Sequence, residues 1–355
     1  MHVAIVCPYS LDVPGGVGSH ALGEAGWLAG QGLEVTLIAP GTRPVPVPAG
    51  VRLELVGRAL PLRFNGSTAR LAVTPVQARE ARRLAARADV VHVHEPLTPG
   101  IAHAVAVQAT SLVVTHHASF GVPLPLAALL RLRARRLGPR HSLAVSDAAR
   151  ATARAATGRM PRLLPNAITM PPPPRRPDGW RGGALPQVAF LGRADDPRKG
   201  FSDFVAIAAR LGEAARCVAV GPGTRPAPAP VEGHGVLSDA QRLQVLHHTD
   251  VLVAPNRMGE SFGMVLAEGL AAGCAVVATD LPGFRETLAD AVAEKLAATF
   301  PVADVERAAD AVRSLLDHGT DPREAHQHAR RWSWEQVGPV LLTMLRDACP
   351  APGDP

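Results

Sequence analysis

The 355-residue chain has few cysteines, few aromatic residues and no long apolar run, and each scarcity excludes a class of protein. No apolar stretch approaches the ~20 residues that span a bilayer, and Met1–Cys7 is interpreted as a first strand without a charged leader, which predicts a cytoplasmic protein. Aromatic residues make up only 4%, and no basic-aromatic motif of an RNA-binding module occurs, which disfavours nucleic acid as a partner. The cysteines are scattered without paired spacing, so we expect small buried side chains rather than disulfides or zinc ligands at Cys7, Cys217, Cys274 and Cys349.

The composition that is present indicates a globular protein with a basic surface. Hydrophobic residues make up 47% and charged residues 19%, and the length exceeds that of a typical single domain, so we expect two domains with separate cores. The net charge of +6 and a pI near 9.9 favour a phosphorylated ligand or an anionic membrane surface as partner, once nucleic acid is set aside.

Short apolar runs alternate with helical patterns through the first half of the chain, as in a parallel, doubly wound α/β sheet. The predicted strands are Val3–Val6, Glu34–Ile38, Val90–His94, Leu112–Thr115 and Leu143–Ser146. The helical patterns between them lie at Gly16–Gly30, Thr74–Arg87, Pro99–Gln108 and Pro125–Leu137. We therefore expect a first Rossmann-like domain over residues 1–170.

A proline-rich segment then interrupts the alternation. Consecutive prolines in residues 171–183 lack backbone donors and force an extended chain, which predicts a linker. The alternation restarts with strands Gln187–Leu191, Arg216–Val220, Val251–Ala254 and Ala275–Ala278 and helices Phe201–Leu211, Asp239–His248 and Gly263–Ala272. We expect a second Rossmann-like domain over residues 184–332, a closing helix and tail over residues 333–355, and a central cleft that the strand ends of both domains face.

Two carboxylates stand where the strand Asp250–Pro255 gives way to the next helix. Glu260 lies at the carboxyl end of that strand, where open parallel sheets bind ligands, and Glu268 lies two turns deeper. The first can accept hydrogen bonds from sugar hydroxyls, and the second can bind another polyol such as a ribose. The alternative is a solvated Glu260 and a Glu268 that only pairs with a neighbouring base.

Three further groups follow strands that end at the expected cleft. The glycine-rich turn at Gly16 opens a helix whose free N–H groups suit a phosphate, although glycines here can also serve only a tight turn. Arg193 and Lys199 can bracket a diphosphate, the alternative being a solvated basic loop. His117 stands just past a strand end, where a structural and a functional histidine fit the pattern equally well.

Several short motifs are spread along nearly the whole chain: Cys7–Ser10 with Asp12–Val17, Asn65–Leu71, His94–Pro96, Pro165–Asn166, Leu191–Arg193 with Pro197–Gly200, and the pair Glu260 and Glu268. Together they resemble those of the retaining GT-B glycosyltransferases of family 4, most closely the bacterial phosphatidylinositol mannosyltransferases. The N-terminal motif and the Asn-Gly-Ser segment are much more specific than the glutamate pair, which family 4 as a whole tends to share.

The resemblance implies two binding sites and a catalytic group. It assigns the nucleotide-sugar donor to Gly16, Arg193, Lys199, Glu260, Ser261, Phe262, Gly263 and Glu268. It assigns the acceptor to Tyr9, Asp12, Asn65, Ser67 and Arg70, and catalysis to His117, Arg193, Lys199 and Glu260. Within these sets, the two basic residues hold the diphosphate, Glu260 the sugar hydroxyls, Glu268 the ribose, and His117 lies beside the transferred sugar. No metal ligands are assigned, and a divalent cation would have no dedicated site.

Retention without an enzymic nucleophile implies front-face attack. The leaving diphosphate then helps to deprotonate the acceptor hydroxyl, and catalysis rests on Arg193 and Lys199, which stabilise the negative charge of the leaving group.

The helix predicted over Thr74–Arg87 has a local basis for membrane contact. At the helical period, Arg79, Arg82, Arg83 and Arg87 fall within an arc of about 140°. Such a face can rest on anionic headgroups, although a solvated helix face is the alternative. Together with the resemblance, this arc predicts a peripheral protein on the inner face of the plasma membrane.

The acceptor side departs from the family pattern. After His117 the chain reads Ala118–Pro123, where close relatives are richer in hydroxyls and carry a lysine, and Gly221–Gly233 departs near the expected base pocket. The resemblance predicts transfer of a hexose, mannose from GDP-mannose, to the inositol of phosphatidylinositol. The alternatives are a soluble cyclitol or aminocyclitol acceptor with a GDP- or UDP-sugar, and a catalytically silent protein that binds sugar-nucleotides or membranes on the same fold.

Overall fold

A computed structural model of the protein describes residues 1–64, 67–138, 140–174 and 185–349, with the backbone alone at residues 64 and 67. The chain divides into two compact units. The first comprises Met1–Thr169 and the C-terminal residues from Trp332, and the second comprises Met170–Arg331. The chain thus returns to its first unit after completing the second. Most of the predicted linker falls on residues 175–183, outside the described residues.

The first unit is built on a parallel sheet. Its strands are β1 (His2–Val6), β2 (Glu34–Ala39), β3 (Val51–Leu55), β4 (Leu60–Phe64), β5 (Ser67–Leu71), β6 (Val90–His94), β7 (Leu112–His116), β8 (His141–Ala144) and β9 (Arg162–Leu163). Its helices before the crossing to the second unit are α1 (Gly16–Gly30), α2 (Pro75–Ala85), α3 (Ile101–Gln108), α4 (Leu124–Ala134) and α5 (Asp147–Thr157). Parallel pairing joins the strands in the order β3-β2-β1-β6-β7-β8-β9.

The central strands are buried along nearly their whole length, and most of their residues are apolar, because both faces of the sheet are covered. Side chains alternate between the two faces of a strand. In β1, Val3 and Ile5 accordingly join one buried cluster, while Ala4 and Val6 join another. Burial on both faces is typical of parallel sheets with helices on either side, and it explains why these strands could be recognised as apolar runs.

A separate antiparallel hairpin, β4–β5, stands outside the main sheet. Its connection falls on residues 65 and 66, outside the described residues. The hairpin is attached to the loop after β1, because Tyr9 pairs with Leu71 and the Ser10 N–H donates to the Arg70 carbonyl at 3.0 Å. This attachment brings two motifs that are about sixty residues apart into contact.

The second unit repeats the architecture. Its strands are β10 (Gln187–Leu191), β11 (Arg216–Val220), β12 (Glu232–Gly235), β13 (Val251–Ala254), β14 (Ala275–Thr279) and β15 (Ala297–Phe300). Its helices are α6 (Phe201–Leu211), α7 (Asp239–His247), α8 (Met264–Ala271), α9 (Pro282–Ala293), α10 (Val305–His318) and α11 (Pro322–Ala329). The strands pair in parallel in the order β12-β11-β10-β13-β14-β15, with a core that includes Phe190, Phe204 and Ile207.

The last helix, α12 (Trp334–Ala348), packs on the first unit. The Trp334 ring lies 5.0 Å from the His20 ring of α1. Glycines allow the close approach of the two helices. A Cβ at Gly23 would lie 2.7 Å from Trp334 Nε1, and a Cβ at Gly338 would lie 2.5 Å from the Trp27 ring. The closing helix is therefore part of the first unit's core.

The predicted bounds of several strands are confirmed, among them Val90–His94, Gln187–Leu191 and Arg216–Val220. The helix predicted to reach Arg87 instead ends at Ala85, so Arg87 lies beyond it and the predicted arc of four helical arginines is wrong at that residue. Cys349 is a half-buried thiol rather than a buried one. None of the helices in the described ranges is both long and apolar enough to cross a membrane.

Candidate active site

The sheet of the second unit reverses its winding between β10 and β13. From this pair, the chain builds outward to β11 and β12 on one side and to β14 and β15 on the other. Ligands of open α/β sheets bind at the carboxyl ends of the strands at such a switch point. The loops that leave β10 and β13 carry Arg193, Lys199 and Glu260, so the structure places all three predicted residues at this edge.

The two loops contact each other through their backbones at Gly200. Its φ angle is +68°, and a Cβ there would lie 1.9 Å from the Pro255 carbonyl oxygen, so a glycine is required for this approach. Nearby, the Arg257 N–H donates to the Arg198 carbonyl at 2.7 Å. These contacts hold Lys199 against the loop that carries Glu260.

We expect Gly200→Ala to destabilise the protein more than Gly212→Ala, a matched change at the other end of α6. Gly212 also has a positive φ, +55°, but no atom lies within 4 Å of its Cβ position. The control should therefore cost only the backbone strain, about 1 kcal/mol, and Gly200→Ala roughly 2 kcal/mol more. Denaturant unfolding measures both, and equal losses would show that the Pro255 contact is dispensable.

Lys199 and Glu260 form an ion pair across the two loops. The Lys199 Nζ lies 2.5 Å from the Glu260 Oε1, which also accepts a hydrogen bond from the Asn256 Nδ2 at 2.7 Å. Within the described residues, no group bonds to Oε2 of Glu260. The carboxylate is thus anchored through one oxygen and keeps the other for a ligand, and a ligand bound to either side chain lies within reach of both.

Arg193 makes a planar contact with its own loop. Its Nε and Nη2 atoms donate to the two carboxylate oxygens of Asp195 at 3.2 and 3.1 Å, and its side chain remains 41% exposed. The hydrogen bonds with Asp195 raise the pKa of Arg193 and lower that of Asp195. The guanidinium is therefore oriented and fully charged, as binding of a diphosphate requires.

The segment Ser261–Gly263 leads into α8 and is tied to α9. A Cβ at Gly283 would lie 2.4 Å from the Ser261 carbonyl oxygen, and the carbonyl of the buried Phe262 accepts a hydrogen bond from Thr287 Oγ1 at 2.7 Å. Gly263 takes a positive φ of 84° at the start of α8. The first turn of a helix leaves N–H groups without intrahelical acceptors, so this segment offers a backbone anion site next to Glu260.

Glu268 lies on α8 and faces Arg242 of α7, with Oε2 3.3 Å from Arg242 Nη1. Burial raises the pKa of Glu268, and Arg242 opposes that shift. From the sequence, Glu268 was expected either to bind a ribose or to form an ion pair with a neighbouring basic residue. The structure shows the pairing with a base, and it leaves the ribose role a prediction.

In the first unit, the loop after β1 leads to α1 at the corresponding switch point, between β1 and β6. Gly16 is the first residue of α1, and Gly15 caps it in an extended conformation without a side-chain hydrogen bond. The Asp12 carboxylate turns away toward the next loop, where it accepts hydrogen bonds from the backbone N–H groups of Thr42 and Arg43 at 3.0 to 3.1 Å. These bonds lower the pKa of Asp12 and give it a structural role.

The other residues predicted to bind the acceptor lie on or beside the β4–β5 hairpin. Tyr9 pairs with Leu71 of β5, and Arg70 is exposed on the same strand. Asn65 lies outside the described residues, and only the backbone of Ser67 is described. Burial raises the pKa of Tyr9 well above its usual value, so the phenol stays neutral and can donate a hydrogen bond. The hairpin therefore brings at least Tyr9 and the backbone of Arg70 together.

His117 belongs to a buried group of histidines at the ends of β6 and β7. Its Nε2 lies 2.9 Å from the Nδ1 of His94, and its backbone N–H donates to the Glu95 carboxylate at 2.5 Å. The Nε2 of His94 in turn faces the Glu24 Oε2 at 3.3 Å. Glu24 lies on α1 and is 0% exposed. The other oxygen of its carboxylate, Oε1, accepts a hydrogen bond from His92 Nδ1 at 2.5 Å.

The charges in this group are set by burial and by the neighbouring rings. Burial would raise the pKa of Glu24, but His92 and His94 hold it well below its usual range. Burial lowers the pKa of His117 strongly, helped by His94 and His20, and it lowers the pKa of His20 to about 4. A buried anion thus lies near three imidazoles, those of His20, His94 and His117, whose pKa values burial lowers and which are therefore held neutral. Of this group, only His117 was predicted from the sequence. The other buried members could have been suspected from His20 and Glu24, which are four residues apart and share one face of α1.

The same group contains a set of side chains that a metal ion could use. Ligand atoms of His20, Glu24 and His94 lie within 4.8 Å of one another, and all three residues are buried. Two imidazoles and one carboxylate suit several divalent transition metals. This cluster was not foreseen from the sequence, which assigned no metal ligands.

Both units are Rossmann-like sheets with charged residues at a switch point, and solved structures identify the combination as the GT-B fold. The glycosyltransferase from Rickettsia africae superimposes with a TM-score of 0.71 at 16% identity, covering 98% of both chains. Residues 14–170 match the model described as Glycosyltransferase Family 4, and residues 185–318 match that described as Glycosyl transferases group 1. The chain belongs to glycosyltransferase family 4.

Two curated relatives match over nearly the full length. The phosphatidyl-myo-inositol mannosyltransferase of Propionibacterium freudenreichii is 37% identical, covering 97% of this chain and 94% of its own. The protein of the same name from Mycolicibacterium smegmatis is 35% identical, covering 96% and 92%. The resemblance inferred from the short motifs is therefore confirmed at the level of the whole chain.

Proposed function

We propose that this protein transfers mannose from GDP-mannose to the inositol ring of phosphatidylinositol, with retention of configuration at the sugar. The observation that carries the proposal is the full-length similarity to proteins named phosphatidyl-myo-inositol mannosyltransferase. The placement of Arg193, Lys199 and Glu260 at one switch point supports a nucleotide-sugar donor, because two cations and a carboxylate match a diphosphate joined to a polyol.

In this proposal the second unit binds the donor. Arg193 and Lys199 hold the diphosphate, Glu260 accepts hydrogen bonds from sugar hydroxyls through its unbonded oxygen, and Glu268 binds the ribose. The backbones of Ser261–Gly263 and of Gly16 contact phosphate. As the glycosidic bond breaks, negative charge grows on the leaving diphosphate, and the two cations stabilise it most in the transition state. The leaving phosphate takes the proton of the attacking hydroxyl on the same face.

The first unit supplies the acceptor site and His117. Tyr9 lies in the loop that pairs with β5, the strand that carries Arg70, and the exposed guanidinium of Arg70 suits the phosphate of an inositol phospholipid. Asn65 and Ser67 complete the proposed site, and Asp12 supports it by fixing the loop that carries Tyr9. His117 contacts the transferred sugar.

A soluble acceptor is the second candidate, because the segment Ala118–Pro123 lacks the lysine expected of a lipid-phosphate site. A matrix of GDP- and UDP-sugars against phosphatidylinositol, free inositol and aminocyclitols, scored by product mass, separates the two. Mannosylated phosphatidylinositol formed from GDP-mannose supports the proposal. Product with only a soluble acceptor, or only with a UDP-sugar, would replace it, and donor hydrolysis without any transfer would favour a different acceptor class.

A lipid acceptor requires contact with the membrane, and we propose that α2 and Arg87, just beyond its end, provide part of it from the cytoplasmic side. Arg79 and Arg87 are exposed and Arg82 is half-buried, whereas Arg83 is engaged by Glu80. Replacing the three unpaired arginines by glutamine should remove roughly 3 kcal/mol of attraction at most, about 1 kcal/mol each, and weaken cosedimentation with anionic vesicles. The loss should be largest at low salt.

The matched control replaces three exposed arginines of the second unit that form no ion pair within the described part of the chain, Arg225, Arg323 and Arg330, by glutamine, which changes the net charge equally. It should leave vesicle binding near the wild-type level. If both triple variants lose the same amount, the attraction comes from net charge and α2 has no special place in it.

A further inference from the structure

A buried carboxylate and two imidazoles form a chain that ends at His117. Glu24 Oε2 faces His94 Nε2 at 3.3 Å, and His94 Nδ1 lies 2.9 Å from His117 Nε2. Within the described residues, neither Glu24 Oε2 nor His94 Nε2 makes a hydrogen bond of full geometry with any group, so their 3.3 Å approach is a carboxylate–imidazole contact between two otherwise unsatisfied buried atoms. Glu24 and His94 are 0% exposed and His117 is 6% exposed, so water does not compete along the chain.

The position of the protons follows from this geometry. An ionised carboxylate carries no proton, and a lone pair on His94 Nε2 would face its oxygen at 3.3 Å, so electrostatics favour the tautomer of His94 that carries its proton on Nε2. The Nδ1 of a neutral His94 is then an acceptor, and His117 must donate to it from Nε2. That leaves the Nδ1 of His117 without a proton. Each imidazole passes on the orientation that the carboxylate sets, as second-sphere hydrogen bonds do for catalytic histidines.

The two other histidines beside Glu24, His20 and His92, do not compete for this role. The Nδ1 of His20 lies 3.3 Å from the Ala167 carbonyl oxygen, which can only accept, so His20 carries its proton there. Its Nε2, 4.0 Å from Glu24 Oε2, is left without a proton to offer. His92 donates to the opposite oxygen, Oε1, and fixes the carboxylate in place.

We propose that Glu24 is a positioning residue that acts through His94 to hold His117 in its Nε2–H tautomer, so that Nδ1 presents an unprotonated acceptor. Only the identity of what this acceptor meets, a hydroxyl of the transferred sugar, rests on the proposed function. This role explains why a carboxylate is retained in the core, where burial of a charge is costly unless it is paired and hydrogen-bonded, as Glu24 is by His92 and His94. A hydroxyl of the transferred sugar can then donate a hydrogen bond to His117 Nδ1, instead of facing a second N–H.

The first test uses the wild-type protein without substrate. Two-bond 15N–1H correlation spectra of 15N-histidine-labelled protein distinguish the tautomers, and the His94 and His117 signals are assigned by their loss in His94→Asn and His117→Asn. We expect the Nε2–H form at both residues. A Nδ1–H form at either one would overturn the proposal, whatever the enzyme turns out to transfer.

The second test removes the charge at unchanged size. Glu24→Gln should lower the fraction of Nε2–H tautomer at His94 and His117 and reduce kcat about tenfold or more, with the KM for donor changed less than about threefold. Glu34→Gln, an exposed change in the same unit, is the control and should alter neither. A normal tautomer in Glu24→Gln would refute the role of the charge.

A third measurement separates the proposal from metal binding by the same side chains. Elemental analysis of the purified protein, and activity after dialysis against a chelator, should show no stoichiometric metal and no loss. A bound ion that disappears in Glu24→Gln would overturn the proposal, because His94 Nε2 would then be a metal ligand rather than a donor to Glu24.

Discussion

Replacing Lys199 by alanine should lower turnover at least a hundredfold. The structure gives Lys199 a fixed place: Gly200 brings its loop against the end of β13, and the ammonium lies 2.5 Å from Glu260. A preorganised charge aimed at a leaving group typically contributes about 10²–10³ in kcat. Steady-state kinetics with saturating donor measures the loss, and turnover within about threefold of the wild type would remove Lys199 from the catalytic group.

The ion pair makes a simple interpretation of this variant unsafe, because Lys199→Ala also leaves the Glu260 carboxylate without its partner. A double-mutant cycle separates the two effects. If Lys199 acts on the diphosphate, its removal should still cost about a hundredfold in the Glu260→Gln background. If it acts only by neutralising Glu260, the second removal should cost almost nothing.

The inner strands of both sheets could be predicted because their sequences follow one rule, whereas the edge strands β3, β9, β12 and β15 were not predicted. In a parallel sheet covered on both faces, a strand such as Val251–Ala254 or Arg216–Val220 is apolar wherever it is buried, and its length is bounded by polar residues, glycine or proline. The β4–β5 hairpin breaks this rule. It is largely exposed and contains Pro61, so neither apolar runs nor strand propensity mark it.

The position of each residue of the candidate site could be predicted, but not which of these residues contact one another. Position after a strand end suffices to place Arg193, Lys199 and Glu260 at the switch point. Sequence does not reveal that Lys199 and Glu260, 61 residues apart, form a direct ion pair, since this depends on the backbone approach at Gly200. The same holds for Asp12, whose carboxylate binds the backbone of a loop thirty residues away.

Glu24 shows a different limit. From the sequence alone, Glu24 would be expected on the solvent-exposed face of α1. Only the tertiary structure shows that it is 0% exposed and lies between His92 and His94. A buried polar group can be predicted only when the groups that pair with it can be identified. The partners of Glu24 come from a strand about seventy residues later, which local patterns do not reveal. The part of the site that local patterns miss is therefore the part that sets the protonation of the residues they find.

Glu260→Gln should impair sugar transfer about fiftyfold while changing the affinity for bare GDP less than about threefold. Glutamine can keep a carbonyl oxygen toward Lys199 and Asn256, which both donate to Oε1. It then places an amide N–H₂ where the wild type offers the free Oε2, so a donor faces the sugar hydroxyls. A hydrogen bond to a charged group contributes about 1.5–3 kcal/mol, which corresponds to roughly ten- to 150-fold. Transfer kinetics and calorimetric titration of GDP measure the two effects separately.

Glu268→Gln is the matched control, since it changes a carboxylate of the same unit that is proposed to bind the ribose. It should weaken GDP binding and transfer together, because the ribose is present in both ligands. Burial raises the pKa of Glu268, so its effect should also fade toward lower pH, where the carboxyl is already protonated. The split between the two variants is the decisive result. If Glu260→Gln lowered GDP affinity as much as it lowered transfer, Glu260 would contact the nucleotide or only hold the loop, and the sugar would have to be bound by other residues.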